Sequence, residues 1–153
     1  MRNNGIIHRW MWAVGLVLIA AVMLLFSNSG PATEVTIYKS ATCGCCAGWI
    51  RHLESNGFTV RAHNVPDVSY YKERFGVRPE LATCHTAVVE GYVVEGHVPA
   101  RDIKRLLSER PSVTGIAVPG MPLGSPGMEG PRKDRYQVYS FDNDGHVEPY
   151  ASH

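Results

Sequence analysis

Three cysteines packed into four residues, with a fourth far along the chain, constrain this protein more than any other feature. They are Cys43, Cys45, Cys46 and Cys84. An even cysteine count in an exported chain ordinarily signals a disulfide framework. Here adjacent Cys45 and Cys46 can pair only through a strained ring, and the three clustered residues tie no distant segments together. Such an arrangement staples a domain poorly. It points instead to a site, and the value of Cys84 depends on whether the fold carries it there.

The compartment follows from the N-terminus. Residues 10–26 form an uncharged apolar run of 17 residues, preceded by Arg2, His8 and Arg9. As a helix the run spans about 25 Å against a hydrocarbon core of about 30 Å, which suits a short anchor and a long signal-peptide core equally. Ser27-Asn28-Ser29 supplies a small-x-small cleavage site. We expect residues 1–30 to be a signal peptide or an N-terminal membrane anchor; a buried core helix is the plainer alternative. Positive charge holds the N-terminal flank in the cytoplasm, so both main readings export the chain from about residue 30. The expected location is periplasmic, soluble or anchored to the inner membrane.

A chain of 153 residues with 44% hydrophobic content has room for one compact domain. Lys and Arg number 15 and Asp and Glu 14, and only Arg2 and Arg9 precede residue 27, so the remainder is close to neutral. That balance leaves no footprint for nucleic acid. No nucleotide, flavin or haem signature is present, and no G-x-S-x-G places a hydrolytic nucleophile.

Local signals order the elements. Residues 34–39 (EVTIYK) alternate with β-branched and aromatic side chains and predict a strand, followed by a small-residue loop over 40–45. Trp49, Ile50 and Leu53 fall at helical spacing over 46–56, stopped by Gly57. A second strand is expected over 58–65, then a helix from Pro66-Asp67-Val68-Ser69 to Phe75, ended by Gly76. Residues 86–89 and 92–94 read as a hairpin turning at Glu90-Gly91, and Pro99 opens a helix through Glu109 with Ile103, Leu106 and Leu107 on its apolar face. Val118-Pro119 and Met121-Pro122 set extended backbone. After them, residues 135–150 predict a second hairpin that turns at Asp142-Asn143-Asp144-Gly145.

The resulting order, β-α-β-α-β-β-α, is that of an α/β thioredoxin/glutaredoxin-like core with a C-terminal hairpin extension. The segment VTIYKSATCGCCAGWIRHLESNGF resembles a glutaredoxin's first strand, active-site loop and first helix, with Cys43 and Cys46 at the ends of a C-x-x-C. The segment HTAVVEGYVVEGHVPARDIKRLL resembles its hairpin and last helix. The expected division is a core over residues 31–110, and a Gly/Pro/Met loop with a hairpin packed on it over 111–153. In that resemblance a cis-proline precedes the third strand. Here His85 occupies its position, which implies that Cys84 faces Cys43 and Cys46.

Thiols at a helix start meet unpaired N–H groups and a positive dipole end, which favour thiolates. Crowded thiolates repel, so a bound cation is expected among them. Thiolate chemistry selects Cu(I), zinc or an iron–sulfur cluster. Structural zinc sites use two separated knuckles, whereas this chain has C-x-C-C and an isolated Cys-His. Cuprous ion accepts two or three thiolates and lets each sulfur bridge, so four sulfurs can hold more than one copper.

CGCC, Cys84-His85, EGHVP at 95–99 and GMPLGSPGM at 120–128 together closely resemble the CopG family of small exported thioredoxin-like proteins, over about residues 34–130. The resemblance implies copper binding at the cysteine cluster, in a multinuclear Cu(I)–thiolate site, with a redox role in copper resistance. Expected partners are copper ions and other copper-handling envelope proteins, with the membrane contacted through an uncleaved N-terminal segment. The candidate metal residues are Cys43, Cys45, Cys46, Cys84, His85, His97, Met121 and Met128, and no catalytic residue is assigned.

Each carries a plainer alternative. Cys43, Cys46 and Cys84 suit ordinary disulfide chemistry, and Cys45 suits a small buried hydrophobe. His85 either offers an imidazole or fills the space of the missing proline; His97 is a ligand or a cap or surface residue; His52 and His63 are surface residues. Met121 and Met128 are soft thioethers in a loop that folds over the cysteines, or packing. Beside a copper protein stand two other classes: a thiol–disulfide oxidoreductase attacking through Cys43 and resolving through Cys46, and a partner-docking module with structural cysteines.

Overall fold

Alternation of side chains builds the sheet. In β1 (Glu34–Lys39) Val35 and Ile37 are fully buried toward one face, while Thr36 and Tyr38 point to the other. The computed structural model describes residues 32–153, so the apolar run at 10–26 and its expected role lie outside the described residues. Among the described residues no helix is long and apolar enough to cross a membrane.

From β1 the chain enters α1 (Gly44–Ser55), which buries Cys46, Trp49 and Leu53, one side of the helix. Next comes β2 (Thr59–Asn64), parallel to β1, and α2 (Val68–Arg74), whose first turn is capped by the Asp67 carboxylate accepting from Ser69 N–H at 2.8 Å. A 3₁₀ turn at Pro79–Leu81 leads into the hairpin of β3 (His85–Val89) and β4 (Tyr92–Gly96). Helix α3 (Ala100–Glu109) follows, then β5 (Gly115–Val118), the loop at 119–134, β6 (Gln137–Phe141) and β7 (Val147–Ser152).

The fold is a mixed α/β sheet of seven strands in the order β2-β1-β3-β4-β5-β6-β7. Its first seven regular elements follow the β-α-β-α-β-β-α order expected from the pattern. Trp49, Leu53, Ala87, Val94, Ile103 and Leu106 make the larger core, between the sheet and α1 with α3. A smaller core of Val77, Leu81, Val93, Ala117 and Phe141, with Phe75 against it, lies on the α2 face. The sheet is therefore covered on both faces.

Two differences from expectation matter. Helix α1 begins at Gly44 with Cys43 as its N-cap, two residues earlier than the spacing predicts, so Cys45 sits in the first helical turn and not in the loop. Strand β5 was not signalled as a strand, because its four residues are all buried and show no alternation. It pairs parallel to β4 and antiparallel to β6, so the C-terminal hairpin continues the central sheet.

Candidate metal centre

The end of β1, the start of α1 and the entry to β3 meet at one corner. Register does this: Lys39 at the end of β1 stands opposite His85 at the start of β3, so Cys84 arrives beside the first turn of α1. The sulfurs of Cys43, Cys45, Cys46 and Cys84 all lie within 4.8 Å of one another. Cys45 Sγ is 3.6 Å from Cys43 and 3.7 Å from Cys84, and Cys46 Sγ is also 3.7 Å from Cys84. Cys43 and Cys46 are joined by a disulfide, with their Cα atoms 5.5 Å apart; Cys45 and Cys84 are free thiols.

Two imidazoles complete the cluster. His85 Nδ1 lies 3.4 Å from Cys84 Sγ and 3.5 Å from Cys46 Sγ. His97 Nε2 lies 3.4 Å from Cys84 Sγ. Cys84, His85 and His97 thus form a second group whose donor atoms fall within 4.8 Å, sharing the Cys84 sulfur with the first. His97 is fully buried rather than a surface residue. Its Nδ1–H donates to the Pro126 carbonyl at 2.7 Å, which fixes the tautomer and leaves the Nε2 lone pair facing Cys84. His85 is held against the Trp49 ring, with centroids 4.4 Å apart, and its Nε2 is buried with no hydrogen-bond partner among the described residues.

Electrostatics differ from the expectation of thiolates. Burial, then the neighbouring Cys45, pushes the Cys84 thiol up to about 12. Burial, then His97 and Lys72, holds His85 down to about 3, and burial lowers His97 as well. Cys84, His85 and His97 are thereby each biased toward the uncharged form. Neutral imidazole is the metal-binding form, and a cation that displaces a thiol proton relieves the penalty that keeps Cys84 protonated. Sulfur and imidazole donors suit copper and zinc and do not suit hard cations.

The loop at 119–134 reaches this corner at Gly127. A Cβ on Gly48 would fall 2.7 Å from Gly127 Cα, and one on Gly127, which has φ +84°, would fall 2.5 Å from Trp49 N and 2.9 Å from Cys45 O. Glycine at both positions is what permits the loop backbone to lie on the first turns of α1. Glu129 accepts from the Gly127 N–H at 2.8 Å, and that bond lowers its carboxyl below the ordinary range. Met128 is half-buried inside the turn, where its carbonyl accepts from Gly124 N–H at 2.8 Å, while Met121 is 37% exposed with φ +49°.

Residues 81–128 match a family model described as a protein of unknown function, DUF411. No curated protein matches. Two solved structures do, each 48% identical with a TM-score of 0.76: copper resistance protein CopG, form 2, covering 80% of this chain, and form 1, covering 81%, with 98% of each of those chains covered. The chain belongs to the copper resistance protein CopG family. The cysteine cluster and this kinship together give the chain a copper-related role.

Sequence reasoning missed two residues at this corner. His52, expected on the surface, is half-buried and accepts the Ala100 N–H on Nε2 at 3.0 Å, tying α1 to the start of α3. Glu95, inside EGHVP, is fully buried. A charge in the middle of an otherwise apolar strand, YVVEG, was the available signal. His63 is exposed, as expected.

Proposed function

We propose that this protein is exported and holds Cu(I) among Cys43, Cys45, Cys46 and Cys84 as part of copper resistance. The observation that carries this reading is the arrival of Cys84, from the entry to β3, within 3.7 Å of both Cys45 and Cys46 sulfurs at the start of α1. Two-electron reduction of the Cys43–Cys46 disulfide by an external dithiol would add two thiols to the free Cys45 and Cys84, giving four sulfurs in one cup, enough donors to bridge more than one cuprous ion. Bound there, copper would supply a one-electron redox centre. His85 and His97 extend the donor set with imidazole nitrogen, which favours Cu(II) more than sulfur does and supports a redox role beside storage. Met121 and Met128 are proposed as outlying thioether donors of the loop. Envelope copper carriers are the proposed exchange partners.

Anaerobic titration of the reduced full chain in detergent with Cu(I), in competition with a chromogenic chelator, tests the reading. At least one tightly held copper per chain is expected, and Cys84→Ser should lower the affinity by tenfold or more. Full copper retention in that variant would overturn the role of convergence.

A second reading draws support from the Cys43–Cys46 disulfide at the N-terminus of α1: a thiol–disulfide oxidoreductase with Cys43 attacking and Cys46 resolving. Rapid insulin reduction by copper-free protein would favour it over the copper reading.

A further inference from the structure

Behind the donor cluster, on the α2 face of the sheet, sits a charged pair that the donor chemistry does not require. Glu95 is fully buried in β4, and Lys72 of α2 reaches it at 2.6 Å with its side chain 11% exposed. The carboxylate collects every donor within reach. Its Oε1 accepts from Lys72 Nζ, from the Thr83 N–H at 2.6 Å and from the Thr83 hydroxyl at 2.8 Å, and its Oε2 accepts from the Thr86 hydroxyl at 2.7 Å. Lys72 Nζ also donates to Thr86 Oγ1 at 3.0 Å.

The bonded residues are the two that flank Cys84 and His85. Neither sulfur nor imidazole touches Glu95; it grips the chain on either side of them. Thr83 precedes β3, where no strand ladder holds its backbone, so the Glu95 carboxylate replaces the missing ladder partner of its N–H. Gly96 makes the approach feasible: a Cβ there would lie 2.9 Å from Thr83 Cγ2. Side chains alternate along β3, so Thr86 faces α2 while His85 packs on Trp49 across the sheet. The donor dipeptide is thus clamped from the opposite face.

From this geometry we infer that Glu95 is a positioning residue, which with Lys72 pins the Thr83–Thr86 segment and so holds Cys84 and His85 against the first turn of α1. A buried ion pair is weak support for stability, since two apolar residues in its place are often neutral or better. What it adds is a multi-donor anchor at the entry to β3, where Thr83 and Cys84 precede the strand ladder that begins at His85. This inference rests on the copper reading for its consequence, but the placement of Cys84 is measurable without copper.

The test is made on the full chain in detergent, copper-free and with the Cys43–Cys46 disulfide intact, so that Cys45 and Cys84 are the free thiols. Iodoacetamide labelling of Cys84 is followed by mass spectrometry in wild type, Glu95→Gln, Thr83→Val, the double variant Glu95→Gln/Lys72→Met, and Val138→Ala, a core variant in β6 that loosens the fold away from the site. Glu95→Gln should raise the labelling rate of Cys84 about tenfold, and Thr83→Val, which keeps the backbone bond, about threefold. The double variant should stay raised by about threefold, because it removes the unpaired ammonium but does not restore the carboxylate that holds Thr83 and Thr86. In the reduced chain Glu95→Gln should also weaken Cu(I) binding by about tenfold, the lower end of what outer groups contribute at metal sites.

A Cys84 rate in Glu95→Gln within twofold of wild type, or raised no more than in Val138→Ala at equal loss of melting temperature, would overturn the positioning role. If Glu95→Gln does not fold, Thr83→Val and the double variant decide by the same criterion. Absence of Cu(I) binding in the wild type would remove the copper reading and leave the labelling result to stand or fall alone.

Discussion

Replacing Gly48 by alanine sets two physical rules against each other. Gly48 lies mid-helix in α1, where alanine is favoured over glycine by about 1 kcal/mol, so propensity alone predicts a more stable protein. The added methyl, however, would stand 2.7 Å from Gly127 Cα and 3.3 Å from its carbonyl oxygen, both backbone atoms that cannot rotate away. Ordinary contact requires the loop to retreat by about 1 Å, an overpacking that costs about 1–3 kcal/mol. Retreat also strains the bond from His97 to the Pro126 carbonyl, one residue before Gly127, worth about 1 kcal/mol. The net expectation is a loss of about 1–2 kcal/mol, or a melting temperature lower by about 4–8 °C for a domain of this size. Gly44→Ala provides the internal comparison, since a methyl there meets nothing within 4 Å and should stabilise the chain. Thermal unfolding of both variants, with chelator competition for Cu(I), reads the difference. If Gly48→Ala melts at or above the temperature of Gly44→Ala and binds copper as the wild type does, the loop does not press on α1 and the reasoning fails.

Other perturbations have defined directions. Lys72→Met leaves the Glu95 carboxylate buried without its cation and should destabilise by about 3 kcal/mol in chemical denaturation, against a much smaller loss for Lys72→Met/Glu95→Gln; equal losses would show that the charges are not coupled. Burial lowers the pKa of His52, of His97 and of His85, so the folded chain resists protonating them. The unfolded chain takes up those protons first, so copper-free stability is full above about pH 6.5 and declines as pH falls below it. His52→Gln, which keeps an acceptor for Ala100 N–H, should flatten part of that decline in urea titrations at pH 7 and pH 5; an unchanged slope would count against it. Asp67→Ala removes the cap of α2 and should cost about 1 kcal/mol by thermal unfolding, with no change in Cu(I) affinity.

Much of the fold was legible because its elements announce themselves locally. EVTIYK alternates, Asp67 precedes its helix as a cap, Gly57 and Gly76 end theirs, and Glu90-Gly91 splits a hairpin. The site was legible through cysteine spacing and through the glutaredoxin resemblance that puts His85 at the cis-proline position; the structure there pairs His85 with Lys39. What escaped shares one property, dependence on contacts between distant segments. Strand β5 is buried on both faces, so it lacks the alternation that marks a half-exposed strand. His52 looks like a surface histidine until α3 places the Ala100 N–H beside it. The expectation of thiolates followed from the helix dipole alone, whereas the burial of Cys84 outweighs it.

Residue order therefore dictated which side chains the protein owns and where its strands and helices begin, since caps, turns and periodicity act over a few residues. It also dictated the soft donor chemistry, because four thiols and their histidine neighbours admit few cations. Packing settled the rest: that His97 is turned by a loop carbonyl 29 residues away, that Gly127 lies on the helix carrying the cysteines, and that Glu95 holds the Cys84 segment from across the sheet. Those relations depend on distances set by a shared core, and no local rule of sequence contains them.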